Sequence, residues 1–136
     1  MTLADCTLMV VEDHEFQRRT MLQMLANLGA GALVEAADGP SALTLLAADP
    51  RPDILICDLD MPGMDGVEFL RHVAARAPAT AVVIASGLEA DVLADAAARV
   101  RDHGLQVLGA IPKPLTARLL LQAVDGWFGA GKEVAT

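Results

Sequence analysis

The chain is short of three things: long apolar runs, positive charge and cysteine. No apolar run approaches the roughly 20 residues needed to span a bilayer, so a helical membrane anchor is excluded. Ten Lys and Arg stand against 18 Asp and Glu, a net charge of -8. That balance argues against direct nucleic-acid binding, which rests on neutralising phosphates with basic side chains. Only Cys6 and Cys57 are present, each in or beside an apolar run. Without a secretion signal they read as reduced packing residues and not as a disulfide. The N-terminus has no basic region followed by an apolar stretch, so a cytoplasmic protein is expected. There is also no internal repeat and no low-complexity segment.

What is present is a globular pattern. The 136 residues are 54% hydrophobic and 21% charged, enough for one domain with a sizeable core. Apolar runs alternate with helical periodicity from end to end. Thr7 to Val11 reads as a first strand, and Met21, Met24, Leu25 and Leu28 follow at helical spacing, closed by Gly29. The two methionines read as core filling. A short second strand covers about 33–36, and Asp38-Gly39-Pro40 opens a second helix with proline near its first position.

A third strand ends at Cys57, and Asp65 is placed to cap the helix that follows. That helix carries Val67, Leu70 and Ala74 on one side and stops before Pro78. Residues 81–85 form strand four. Leu93, Ala96, Ala97 and Val100 mark helix four, residues 106–111 strand five, and Leu120, Ala123, Val124 and Trp127 helix five. Five strands alternating with five helices imply an α/β fold, a parallel sheet covered on both faces with right-handed crossovers. Residues 1–129 are expected to form the domain, and 130–136 a tail or the start of a linker.

The chemistry gathers where strands end. The run Asp53-Ile-Leu-Ile-Cys57-Asp58-Leu-Asp60-Met-Pro62-Gly63-Met-Asp65-Gly66 stops in carboxylates and then in a Pro/Gly loop. Glu12 and Asp13 follow strand one, Ser86 follows strand four and Lys113 follows strand five. Open α/β sheets bind ligands at this carboxyl edge. At an effective dielectric of about 20, each pair of carboxylates 4–5 Å apart repels by roughly 3–4 kcal/mol. A hard divalent cation relieves that repulsion, and an all-oxygen site selects Mg2+ or a close relative such as Mn2+. A carboxylate nucleophile, a metal, a lysine and a hydroxyl together suit phosphoryl transfer.

In these segments the chain resembles the bacterial response-regulator receiver domains of two-component signalling. The matching pieces are Val-Val-Glu12-Asp13-His, Leu-Ile-Cys-Asp58-Leu-Asp60-Met-Pro-Gly-Met-Asp-Gly, Val-Ile-Ala-Ser86-Gly87 and Ile-Pro-Lys113-Pro114. The resemblance implies a flavodoxin-like (βα)5 fold with strand order 2-1-3-4-5. It implies that Asp58 is the phosphoacceptor for a sensor histidine kinase or phosphotransfer protein. It implies Mg2+ held by Asp13, Asp58 and the backbone carbonyl of Asp60, with Glu12 acting through metal-bound water. Ser86, the amide of Gly87 and Lys113 would contact the phosphoryl group, and the Lys113–Pro114 bond would be cis. Asp60's own carboxylate would only tune the lifetime of the phosphorylated state. Beyond phosphorylating and dephosphorylating itself, such a domain is no enzyme.

One position departs from the family. Three residues before the lysine, where an aromatic switch residue is usual, stands Ala110. The signal is then expected to pass through Ser86 and the loop from Gly87 to Asp91 into the fourth helix. The fourth helix, fifth strand and fifth helix would form the face for an output partner or a homodimer, with Leu88 and Leu93 as candidate contributors. Two other readings compete. Asp58-Leu-Asp60 also resembles the signature of haloacid-dehalogenase-type phosphatases, although Pro62 and an upstream acidic pair do not fit it. A receiver-like interaction module that takes no phosphoryl group is the other. A flavin site fails, because Glu12 to Glu15 would repel a phosphate. His14 reads as an exposed helix-start residue, and His72 and His103 as solvated.

Overall fold

The computed structural model describes residues 2–48, 51–61 and 63–127. The expected tail at 130–136 and Pro62 lie outside the described residues, as does the side chain of Trp127. Five parallel strands form one sheet: β1 (Thr7–Val11), β2 (Ala32–Ala36), β3 (Ile54–Cys57), β4 (Ala81–Ser86) and β5 (Val107–Pro112). Their spatial order is β2-β1-β3-β4-β5, the doubly wound, flavodoxin-like order expected. The helices between and after them are α1 (Glu15–Asn27), α2 (Gly39–Leu46), α3 (Gly66–Arg76), α4 (Ala90–Asp102) and α5 (Ala117–Trp127).

Strand residues alternate between two separate cores, because successive side chains point to opposite faces of a sheet. Leu8, Val10, Ile54, Ile56, Val83 and Ala85 pack with Met21 and Leu25 of α1 and with Leu120 and Val124 of α5. Met9, Val11, Leu55, Cys57, Val82 and Ile84 pack on the other face against α2, α3 and α4. The three central strands are thus buried on both sides, which is why they read as unbroken apolar runs.

Helix ends follow the local signals. Asp38 accepts from the Ser41 amide at 2.7 Å, Asp65 from the Val67 amide at 2.9 Å and the His14 imidazole from the Gln17 amide at 3.4 Å. Gly29, just past α1, has φ +90°, open to glycine without strain.

The structure corrects some expectations. The buried face of α3 is Phe69, Leu70 and Val73, with Val67 and Ala74 only flanking it. An apolar stripe more than 100° wide has no unique centre in sequence, and the bulk of Phe69 fixes it here. Met21 is core, but Met24 is only partly buried. Ser86 is the last residue of β4 and does not follow it. Leu93, expected on a partner face, is 3% exposed and belongs to the core. A short antiparallel ribbon, Asp60–Met61 paired with Met64–Asp65, follows β3. Cys6 and Cys57 are buried thiols.

Candidate functional site

Strand register brings the acidic residues together. Val11 is level with Cys57, and Cys57 with Ile84, so the next residues of β1 and β3 emerge side by side. The ladder continues one step beyond the strands: the Asp58 amide donates to Val11 at 3.2 Å, and the Glu12 amide to Ala36 at 3.1 Å. Gly66 then lets α3 press on the loop after Asp58, since a Cβ there would stand 2.5 Å from Leu59 Cα. No other residue fits that approach.

The result is a cleft of about 320 Å³ lined by Glu12, Asp13, Asp58, Asp60, Gly87 and Lys113, with His14 and Gln17 at its rim. Glu12 and Asp58 are 1% and 4% exposed, whereas Asp13 and the Asp60 side chain are open to solvent. Lys113 Nζ donates to Glu12 Oε1 at 2.6 Å and to Asp58 Oδ2 at 2.8 Å. The other Asp58 oxygen accepts from the Asp60 amide at 2.9 Å, and Glu12 Oε2 from the His14 amide at 3.2 Å. The Lys113–Pro114 bond is cis.

Electrostatics follow from this packing. Burial pushes the Glu12 carboxyl above its ordinary value, against the opposing pull of Lys113 and of the His14 amide. Burial alone would push Lys113 down. Its hydrogen bonds to Asp58 and Glu12, with the charges behind them, outweigh that and hold the ammonium above its ordinary value. The Cys57 thiol is pushed up by burial and by the neighbouring negative charges of Asp58 and Glu12, so it is inert.

One oxygen each from Glu12, Asp13 and Asp58 lies within 4.8 Å of the others. Three carboxylates against one ammonium leave excess negative charge in an all-oxygen donor set. That set fits a small hard divalent cation, Mg2+ or Mn2+.

Not every expected residue lines the cleft. The Ser86 side chain is fully buried and its oxygen accepts from the Leu88 amide at 3.3 Å. Ser86 is tied to the site through its backbone, its carbonyl accepting from the Lys113 amide at 2.9 Å. Ala110 is partly buried on the edge strand β5, opposite Ile84. Two residues were not singled out in the sequence. Gln17 Oε1 accepts from Lys113 Nζ at 2.6 Å, and Arg18 clamps the β1 edge by donating to the Glu12 carbonyl and to Glu35, both at 2.9 Å. Their spacing of one helical turn from Asp13 and His14 was the available signal.

His14, at the rim, is exposed; away from the cleft His103 is exposed as well, and His72 lies 3.4 Å from Glu68 on α3, where Glu68 also pairs with Arg71. Among the described residues no helix is long and apolar enough to cross a membrane.

Comparison with known proteins gives the same picture. The family model for the response regulator receiver domain matches residues 8–125. The cyclic di-GMP phosphodiesterase RocR of Pseudomonas aeruginosa is 35% identical over 112 residues, covering 82% of this chain and 29% of that protein. A receiver domain structure from Clostridium thermocellum superposes with a TM-score of 0.79 at 23% identity, covering 94% of this chain and 98% of that one. The structure titled as a CheX–CheY–BeF3–Mg complex from Borrelia burgdorferi gives 0.75 at 26% identity, covering 90% and 88%. The chain spans less than a third of the length of the curated relatives it matches. With the acidic cleft at the carboxyl edge of a 2-1-3-4-5 sheet and the family model running from β1 into α5, the chain belongs to the response regulator receiver domains.

Proposed function

We propose that this receiver, residues 1–129, accepts a phosphoryl group on Asp58 from a sensor histidine kinase or a phosphotransfer protein. One observation carries the reading: Asp58 is a nearly buried carboxylate at the sheet's carboxyl edge, 2.8 Å from a lysine and inside an acidic cluster. Its oxygen attacks phosphorus, an O–P bond forms, and the donor's P–N bond breaks with the electron pair leaving on the imidazole nitrogen. With acetyl phosphate the P–O bond breaks instead and acetate leaves. Lys113, the Gly87 amide and the Ser86 hydroxyl take the phosphoryl oxygens. The Ser86 oxygen accepts from the Leu88 amide, which leaves its O–H free to donate.

Asp13, Asp58 and the Asp60 backbone carbonyl would hold Mg2+ or Mn2+, with Glu12 acting through water. That role for Glu12 suits a carboxylate already paired with Lys113. When bound, the metal neutralises charge on the carboxylates and the phosphoryl oxygens. A groove beside the cleft, with Phe16 (74% exposed), Thr20, Met24, Pro114 and Leu115 around Lys113, offers an apolar landing surface for a protein donor.

The output leaves through Ser86, residues 87–91 and α4, toward an output domain or a homodimer partner on the α4–β5–α5 face. Val92, 50% exposed, and Leu119 supply apolar contacts there in place of Leu93. The domain acts in the cytoplasm, where its two thiols stay reduced, and turns over no external substrate. Incubation with acetyl phosphate and Mg2+ should add the mass of one phosphoryl group, and Asp58→Asn should abolish it. Stoichiometric labelling of the Asn variant, or steady hydrolysis of a generic phosphomonoester, would overturn the assignment.

A further inference from the structure

Lys113 reaches across 96 residues of sequence to a partner outside the acidic cluster, Gln17 of α1. An ammonium has three N–H donors, and here each has one acceptor: Glu12 Oε1 at 2.6 Å, Asp58 Oδ2 at 2.8 Å and Gln17 Oε1 at 2.6 Å. The first two are anionic and buried. Gln17 is neutral, exposed and at the rim. Two carboxylates alone would leave the third donor to solvent. Gln17 fixes that donor on the open side of the cleft, where a phosphoryl group enters.

We infer that Gln17 is a positioning residue for phosphorylation: it presents the Lys113 ammonium at the cleft mouth and is the acceptor that an incoming phosphoryl oxygen replaces. The replacement runs downhill, because an anionic phosphoryl oxygen adds a Coulomb attraction to the ammonium that a neutral amide oxygen lacks. The two carboxylate contacts need not break for it to occur. This role rests on Asp58 being the phosphoacceptor.

The test is a double-mutant cycle on labelling rate with acetyl phosphate at saturating Mg2+, followed by intact mass. Gln17→Met keeps length and helix propensity but removes the acceptor, and Gln17→Ala separates that loss from added bulk. Both variants change one exposed residue and should leave the fold intact, checked by thermal melting. In the Lys113 background either variant should slow labelling about three- to tenfold, the range expected for the net worth of one ordinary hydrogen bond at an exposed site, with Mg2+ affinity unchanged. In a Lys113→Met background the same substitutions should change nothing, because there is no ammonium left to place. Equal rates in wild type and Gln17→Met, or equal slowing in both backgrounds, overturns the role of Gln17 while leaving Asp58 labelled. Failure of the wild type itself to take up phosphoryl mass overturns the acceptor assignment, and this inference with it.

Discussion

At the scale of single residues, the site is three carboxylates arranged around one ammonium, and the four are not equivalent. Asp13 is the exposed member and makes no ion pair with Lys113, so no ammonium competes with a cation for its carboxylate. Asp13→Ala should therefore weaken Mg2+ binding by more than the roughly tenfold that loss of an outer-shell partner typically costs. Glu12→Ala should cost less, because its carboxylate is already engaged by Lys113 and the His14 amide. Calorimetric titration of both variants checks the order, and equal affinity in wild type and Asp13→Ala would contradict the site. Glu12, Asp13, Asp58 and Lys113 were legible in the sequence because each stands within two residues of the end of an apolar run that reads as a buried strand. Gln17 and Arg18 were not. They arrive at the cleft by the turn of a helix, and helical phase relative to a sheet edge is fixed only by packing. The resting position of the Ser86 hydroxyl, turned to the Leu88 amide, was equally hidden, since rotamers leave no trace in sequence.

At the scale of elements, caps and faces make separate claims. The Ser41 backbone amide, donating to Asp38, holds that carboxyl below its ordinary value of 3.8. A depressed carboxylate contributes stability above its unfolded value and loses it as pH falls through its folded one. Asp38→Ala should thus melt lower than wild type at neutral pH, and the gap should close once the pH drops well below 3.8. A gap that persists in acid would mean that packing, not capping, matters there. On α4 the two neighbours Val92 and Leu93 point to opposite environments, 50% and 3% exposed. Leu93→Ala should cost about 2–5 kcal/mol in denaturant unfolding, and Val92→Ala within about 0.5 kcal/mol of nothing. The strands and three of the helix starts could be read from apolar runs and capping residues. The ribbon 60–61/64–65 could not, because two-residue strands inside a Pro/Gly loop carry no period. The α3 face was misplaced by one position for lack of any signal that Phe69 would dominate.

At the scale of the molecule, the sheet divides the protein into two cores that share no buried residue. α1 and α5 stand on one, α2, α3 and α4 on the other. With alanine at position 110, a state change at Asp58 has no swinging ring to carry it, and only differential contacts between two states yield an output. Hydrogen exchange with and without beryllofluoride should change most in residues 86–100, the end of β4, its loop and α4. Changes confined to the clustered carboxylates Glu12, Asp13 and Asp58 would mean that the signal leaves by another face. The fold class and the two-sided burial were legible from composition and alternation. Strand order was not: it came with the family resemblance, because periodicity says nothing about which strand lies beside which. The Lys113 amide hangs from the Ser86 carbonyl, and Ser86 is level with Pro112. Hydroxyl and ammonium are therefore mounted as two jaws on one pin. On the proposed function, deleting the Ser86 hydroxyl should blunt a single jaw, whereas displacing the backbone at residue 86 should swing both, which would couple grip on the phosphoryl group to movement of the chain after β4.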